Sequence, residues 1–145
     1  MELLYLDYNC FQRGFDDPGQ LRIQMESLAC QEIFLRAQRN RVRLIWSFMH
    51  DDETHICPFP ARKIEVLRLS FLCKVRIGPL REIRTLAEEF HLRGKISPKN
   101  AVHLACASYR KADFFVTCDD RLFGKEKNLG ISMKIVNPID YLRGE

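Results

Sequence analysis

Leu3-Leu4-Tyr5-Leu6-Asp7 near the start of the chain, and Ala112-Asp113-Phe114-Phe115-Val116-Thr117-Cys118-Asp119-Asp120 far along it, decide the fold. Each holds a short apolar run closed by an acid, the pattern of a strand buried on both faces with a polar carboxyl end. Val42-Arg43-Leu44-Ile45-Trp46, Lys74-Val75-Arg76-Ile77 and the segment Met133 to Val136 supply three more candidate strands. Helical patterns separate them. Asp17-Pro18 reads as an N-cap and first-turn proline, opening a helix to about Asn40 with Leu21, Met25, Leu28, Ala29, Ile33 and Ala37 at helical spacing. Ser47 caps a short helix carrying His50 to Glu53. Pro58 and Pro60 start the next, with Ile64, Leu67 and Phe71 on one face. Gly78-Pro79 opens a helix with Leu80, Ile83, Leu86, Ala87 and Phe90 on its apolar side, and Gly94 is placed to follow its end. Ser97-Pro98 begins a small-residue helix through Ala101, Leu104, Ala105 and Ser108, and a short terminal helix follows Asn137-Pro138.

Strands alternating with helices predict an α/β domain. Its central sheet, of four to five mainly parallel strands, is flanked by helices, because parallel neighbours need crossover connections. At 145 residues, 46% hydrophobic and 29% charged, the chain reads as one domain over residues 1–145 with an ordinary packed core. No apolar run approaches the ~20 residues of a membrane span, and Asp7 comes too early for a signal peptide, so the expectation is a cytoplasmic protein without membrane contact. Cys10, Cys30, Cys57, Cys73, Cys106 and Cys118 form no C-x-x-C pair and have no His at zinc-finger spacing. They read as reduced, mostly buried small hydrophobes. A net charge of +4 is compatible with a polyanionic partner without demanding one.

Ligands of an open parallel sheet bind outside the carboxyl ends of its strands. Asp7, Asp119 and Asp120 lie at that edge, and Glu53 reaches it from the helix after the second strand. Convergent carboxylates repel one another unless a cation neutralises them, and an oxygen-only donor set suits Mg²⁺ or Mn²⁺ better than zinc. Such ions activate water and stabilise the charge of an in-line phosphodiester displacement. For Asp119 or Asp120 alone, an N-cap role is the commoner explanation.

Taken together, the motifs resemble the PIN domain family, the fold of VapC-type toxin ribonucleases, over nearly the whole chain. Leu4-Tyr5-Leu6-Asp7-Tyr8-Asn9 is similar to the opening motif, and Ser47 followed by Glu53 to the second. Asn100-Ala101-Val102-His103-Leu104-Ala105-Cys106-Ala107 through Asp119-Asp120-Arg121-Leu122 resembles the third and fourth. Ile135-Val136-Asn137-Pro138-Ile139 resembles the common last strand and turn. The resemblance implies a PIN-like three-layer domain and a Mg²⁺- or Mn²⁺-dependent endoribonuclease hydrolysing RNA phosphodiester bonds. Asp7, Glu53 and Asp119 are then the catalytic metal carboxylates, with Asn9, Thr117 and Asp120 in support. It also implies an antitoxin protein as partner, and a homodimer. At position 100, where the family usually has aspartate, this chain has Asn100, which offers a weak oxygen ligand without charge. The alternative is therefore a catalytically weakened PIN-like module that binds RNA or a protein partner without cleavage.

His50-Asp51-Asp52-Glu53, with His55 beyond it, reads as a solvated helix with Glu53 its one functional member, and His103 as a hydrogen-bonded core histidine. Arg36, Arg39, Arg41 and Arg43 complement the end of the first long helix. Arg13, just past the opening motif, is a candidate RNA-phosphate contact.

Overall fold

The computed structural model describes residues 1–144. Five strands, β1 (Glu2–Leu6), β2 (Val42–Ser47), β3 (Val75–Ile77), β4 (Phe114–Val116) and β5 (Lys134–Val136), pair in the order β3-β2-β1-β4-β5. Every pair is parallel. The apolar run Leu3-Leu4-Tyr5-Leu6 occupies the centre because only a central strand buries both of its faces. Leu3 and Tyr5 join Ile45, Phe115 and Ile135 on one face, under α5 (Arg81–Gly94), α6 (Pro98–Tyr109) and α7 (Glu126–Leu129). Leu4 and Leu6 join Leu44, Trp46, Val116 and Val136 on the other. There α1 (Tyr8–Gln12), α2 (Leu21–Gln38), α4 (Pro60–Ser70) and α8 (Pro138–Arg143) cover them. The α/β layering expected from the sequence is therefore present, with a sheet that is wholly parallel. From β1 the chain moves outward to β2 and β3, then returns to β4 on the opposite side of β1. The crossovers diverge at the carboxyl ends of β1 and β4. No helix among the described residues is long and apolar enough to cross a membrane.

Three local expectations are corrected. Asp17 does not cap α2. Its Oδ1 accepts the Gly19 N–H at 2.9 Å, an Asx turn that delays the helix to Leu21. The residue in the left-handed region after α5 is Lys95 (φ 53°) rather than Gly94. Gly94 instead gives room to α7, since a Cβ there would meet Leu129 Cδ2 at 2.8 Å and the leucine would have to shift. The apolar faces also differ. Leu21 and Leu28 of α2, and Ile64 and Phe71 on or just after α4, are exposed. Meanwhile Ala29, Cys30, Ile33, Phe34 and Ala37 pack on the sheet from α2, and Val66 from α4. Helix α2 carries two apolar stripes, and periodicity alone does not say which one the sheet takes.

Helix α3 (Phe48–Ile56) is not solvated throughout, because His50 is fully buried. Its Nδ1 accepts the Ser47 N–H at 2.9 Å, and its Nε2 lies 2.8 Å from the Leu6 carbonyl. A backbone N–H can only donate and a carbonyl can only accept, so the ring is neutral with its proton on Nε2. Burial pushes its pKa well below the ordinary histidine value. Because the folded pKa is depressed, only the unfolded chain takes up this proton as pH drops below about 6.5. Stability is full above that value and declines on acidification, with a slope approaching about 1.4 kcal/mol per pH unit. Urea unfolding between about pH 7 and pH 5 should show this loss in the wild type and a smaller one in His50→Gln. Equal slopes would exclude His50 as its source.

Candidate functional site

Asp7 leaves β1 with its backbone N–H donated to Val116 O at 2.8 Å, which fixes it beside β4. Its Oδ1 caps α1 by accepting the Tyr8 N–H at 2.7 Å. Its Oδ2 accepts the Thr117 hydroxyl at 2.7 Å and Asn9 Nδ2 at 3.3 Å. The Thr117 oxygen accepts the Asp119 N–H at 3.0 Å, and Asn9 Oδ1 accepts the Cys118 N–H at 3.2 Å. Asp7, Asn9 and Thr117 thus lock the ends of two strands into one polar unit. The first turn of α6, capped by Ser97 at 3.2 Å, carries Asn100, whose Nδ2 faces Asp119 Oδ2 at 3.5 Å. Asp7, Asn9, Glu53, Ser97, Lys99, Asn100, Asp119 and Arg121 line one cavity of about 340 Å³. Two of the residues singled out by the sequence lie elsewhere. Asp120 is exposed and paired with Arg22 at 2.5 and 2.8 Å. Arg13 is held by Asp16 at 2.8 Å and by the buried Glu26 at 3.0 Å.

The cavity carries its own cations. Arg121 grips Asp119 through Nε at 3.0 Å and Nη2 at 2.9 Å, and this contact holds the Asp119 carboxyl below the usual range. Lys99 Nζ lies 3.7 Å from Glu53 Oε2, while Glu53 Oε1 meets His103 Nε2. Burial pushes the Asp7 carboxyl above its ordinary value, against the hydrogen bond from Thr117. Hard oxygen donors from Asp7, Glu53, Asn100 and Asp119 fit the Mg²⁺ or Mn²⁺ that the motifs imply. Each carboxylate is nevertheless turned onto a protein partner. Among the described residues, the only three-ligand group whose atoms all lie within 4.8 Å of one another contains no carboxylate.

Behind Glu53 runs a buried polar chain. His103 Nδ1 meets the Tyr5 hydroxyl at 2.6 Å, and that hydroxyl meets Ser47 Oγ at 2.7 Å. With Glu53 as acceptor, one direction satisfies every member: Ser47 donates to Tyr5, Tyr5 to His103 Nδ1, and His103 Nε2–H to Glu53. His103 is fully buried, as read from the sequence, and positions Glu53 from below. Tyr5 had no polar role in the sequence reading. Its place in an apolar strand beside Asp7 concealed one.

The sequence reading also missed a thiol cluster. Cys10 of α1, Cys30 of α2 and Cys118 after β4 are all buried, with sulfurs within 4.8 Å of one another. Hydrogen bonds from Cys10 and Cys30 hold the Cys118 thiol below its ordinary range. No spacing signal announces the trio, because it is assembled only by tertiary packing. The chain matches no model of a known protein family, and no curated protein matches it significantly.

Replacing Tyr5 by Phe removes one hydroxyl and strands the His103 Nδ1 that it satisfies, while Ser47 Oγ keeps the Met49 N–H and His50 Nδ1, each at 3.2 Å. A buried unsatisfied polar group costs about 1–3 kcal/mol, so Tyr5→Phe should lose that much in denaturant unfolding. A variant as stable as the wild type would show that the chain of hydrogen bonds contributes nothing net.

Proposed function

We propose that this protein is a Mg²⁺- or Mn²⁺-dependent ribonuclease, the activity implied by its resemblance to PIN domains. The single observation that carries the reading is that Asp7, Glu53, Asn100 and Asp119, drawn from four separate motifs, line one cavity at the β1–β4 switch point. Asp7, Glu53 and Asp119 would hold the ion, with Asn100 offering a neutral oxygen. When bound, the ion lowers the pKa of water and neutralises charge on a phosphodiester. The remaining groups act as protein. Thr117 and Asn9 fix the Asp7 carboxylate, and His103 fixes that of Glu53. Arg121 and Lys99, half or more exposed at the cavity, are cations suited to an RNA phosphate.

A second reading, an RNA-binding module that does not cut, is favoured by two observations: the missing charge at Asn100, and the pairing of Asp119 and Glu53 with protein cations. One assay separates the two. Purified protein with Mn²⁺ should cleave RNA, and Asp7→Asn should fall to background, whereas a contaminating nuclease would persist in the variant. RNA binding without Mn²⁺-dependent cleavage would select the module.

Asn100→Asp gives the sharper test. It replaces an amide donor 3.5 Å from Asp119 by a second carboxylate. With Mn²⁺ the variant should bind the ion roughly tenfold more tightly, equivalent to about 1.4 kcal/mol, and cleave faster. Without the ion it should melt at a lower temperature than the wild type at neutral pH. That deficit should shrink as the pH approaches the carboxylate range, because protonation removes the repulsion. No change in either quantity would place position 100 outside the functional cluster.

A further inference from the structure

We propose that Cys10, Cys30 and Cys118 form a three-thiolate site for a soft, thiophilic metal ion of low coordination number, Cu(I) being the ion that fits. The three residues come from three elements and are 2%, 3% and 6% exposed, and all are free thiols. Their sulfurs already lie within 4.8 Å of one another. Metal–sulfur bonds of about 2.3 Å in a trigonal plane put the sulfurs about 4.0 Å apart, so a contraction of less than about 1 Å closes the site.

The donor set selects the ion. Thiolates prefer Cu(I), zinc and iron–sulfur clusters to hard cations. A structural zinc site takes four ligands, and a catalytic one needs an open position for water. Here no His, Asp or Glu joins the trio among the described residues, and all three cysteines are buried, with Cys10 and Cys30 bordering a cavity of about 400 Å³. Three sulfurs and no fourth ligand describe a soft ion of coordination number three. Binding releases thiol protons to solvent, and the Arg13 guanidinium beside Cys118 offsets part of the resulting negative charge.

The site is distinct from the carboxylate cavity, yet adjoins it. Cys10 Sγ lies 3.5 Å from Asn9 Oδ1, and the same oxygen accepts the Cys118 N–H at 3.2 Å. Asn9 separates soft donors on one side from hard donors on the other.

The test is an oxygen-free titration of the whole reduced chain with Cu(I) delivered from a chromogenic chelator. The expected result is withdrawal of one ion per chain, with a near-ultraviolet thiolate-to-metal band. Cys30→Ala should lose this uptake, and Cys73→Ala, which removes a buried thiol outside the trio, should keep it. Melting curves establish that each variant is folded. X-ray absorption of the loaded wild type counts ligands without any substitution and should show three sulfur neighbours alone. The proposal is overturned by no uptake in the wild type or by unchanged uptake in folded Cys30→Ala. It is equally overturned by a shell other than three sulfurs, or by Zn²⁺ displacing Cu(I) from the trio.

Discussion

The hydroxyl of Tyr5 is the polar group on which the centre of this molecule depends. It lies on the central strand with no solvent exposure, and an unpaired hydroxyl there would be costly. It is met by Ser47 at the end of β2 and by His103 on α6, both within hydrogen-bond reach. One group therefore ties the register of β2 on β1 to the depth at which α6 settles on the sheet. His103, placed in this way, presents its other nitrogen to Glu53. An apolar residue at position 5 would suit the strand equally well, but would leave α6 and the Glu53 carboxylate without a common anchor.

The opposite side of the cavity follows a similar logic with different groups. Asp7 is buried, so its charge has to be met locally, and Thr117, Asn9 and the first N–H of α1 meet it. Asp119 is more open and is met by the Arg121 guanidinium. The acids are thus neither free nor idle. Each is held by a partner of graded strength, from the buried hydroxyl at Asp7 to the exposed guanidinium at Asp119. Arg121 is a partner easily exchanged, because its guanidinium lies largely in solvent.

Much of this was legible in the sequence, for identifiable reasons. Strands buried on both faces announce themselves as apolar runs, and the acids at 7 and 119 mark their polar ends. Ser97-Pro98 specified the start of α6, because a serine oxygen and a first-turn proline both favour that geometry. Asp17-Pro18 looked alike and failed, since the glycine at 19 let the aspartate close a turn on itself. The outward stripe of α2 was illegible in principle, as apolar residues recur on two faces, Leu21, Leu28 and Leu35 outward and Ala29, Ile33 and Ala37 inward, and only the sheet chooses between them. The thiol trio was illegible for a related reason, because residues 10, 30 and 118 share no local pattern. His50 illustrates a third kind of miss, in which a histidine among acids looks solvated until the N-cap geometry turns it inward.

The pairing of β1 with β4 has a consequence for how the molecule comes into being. The Leu3 N–H is bound by the Asp113 carboxylate at 2.7 Å, a contact spanning 110 residues, and the β1–β4 ladder closes a loop of similar length. Closing such a loop is entropically expensive, and parallel pairings of this kind are slow to form. During synthesis Asp7, Glu53 and Asn100 are all present well before Asp119 emerges, and β1 can then pair only with β2. The cavity has no second wall until β4 docks. A carboxylate cluster assembled at the most distant contact in the sheet is therefore a product of finished folding, and a chain halted or partly opened at β4 carries the same side chains without the site.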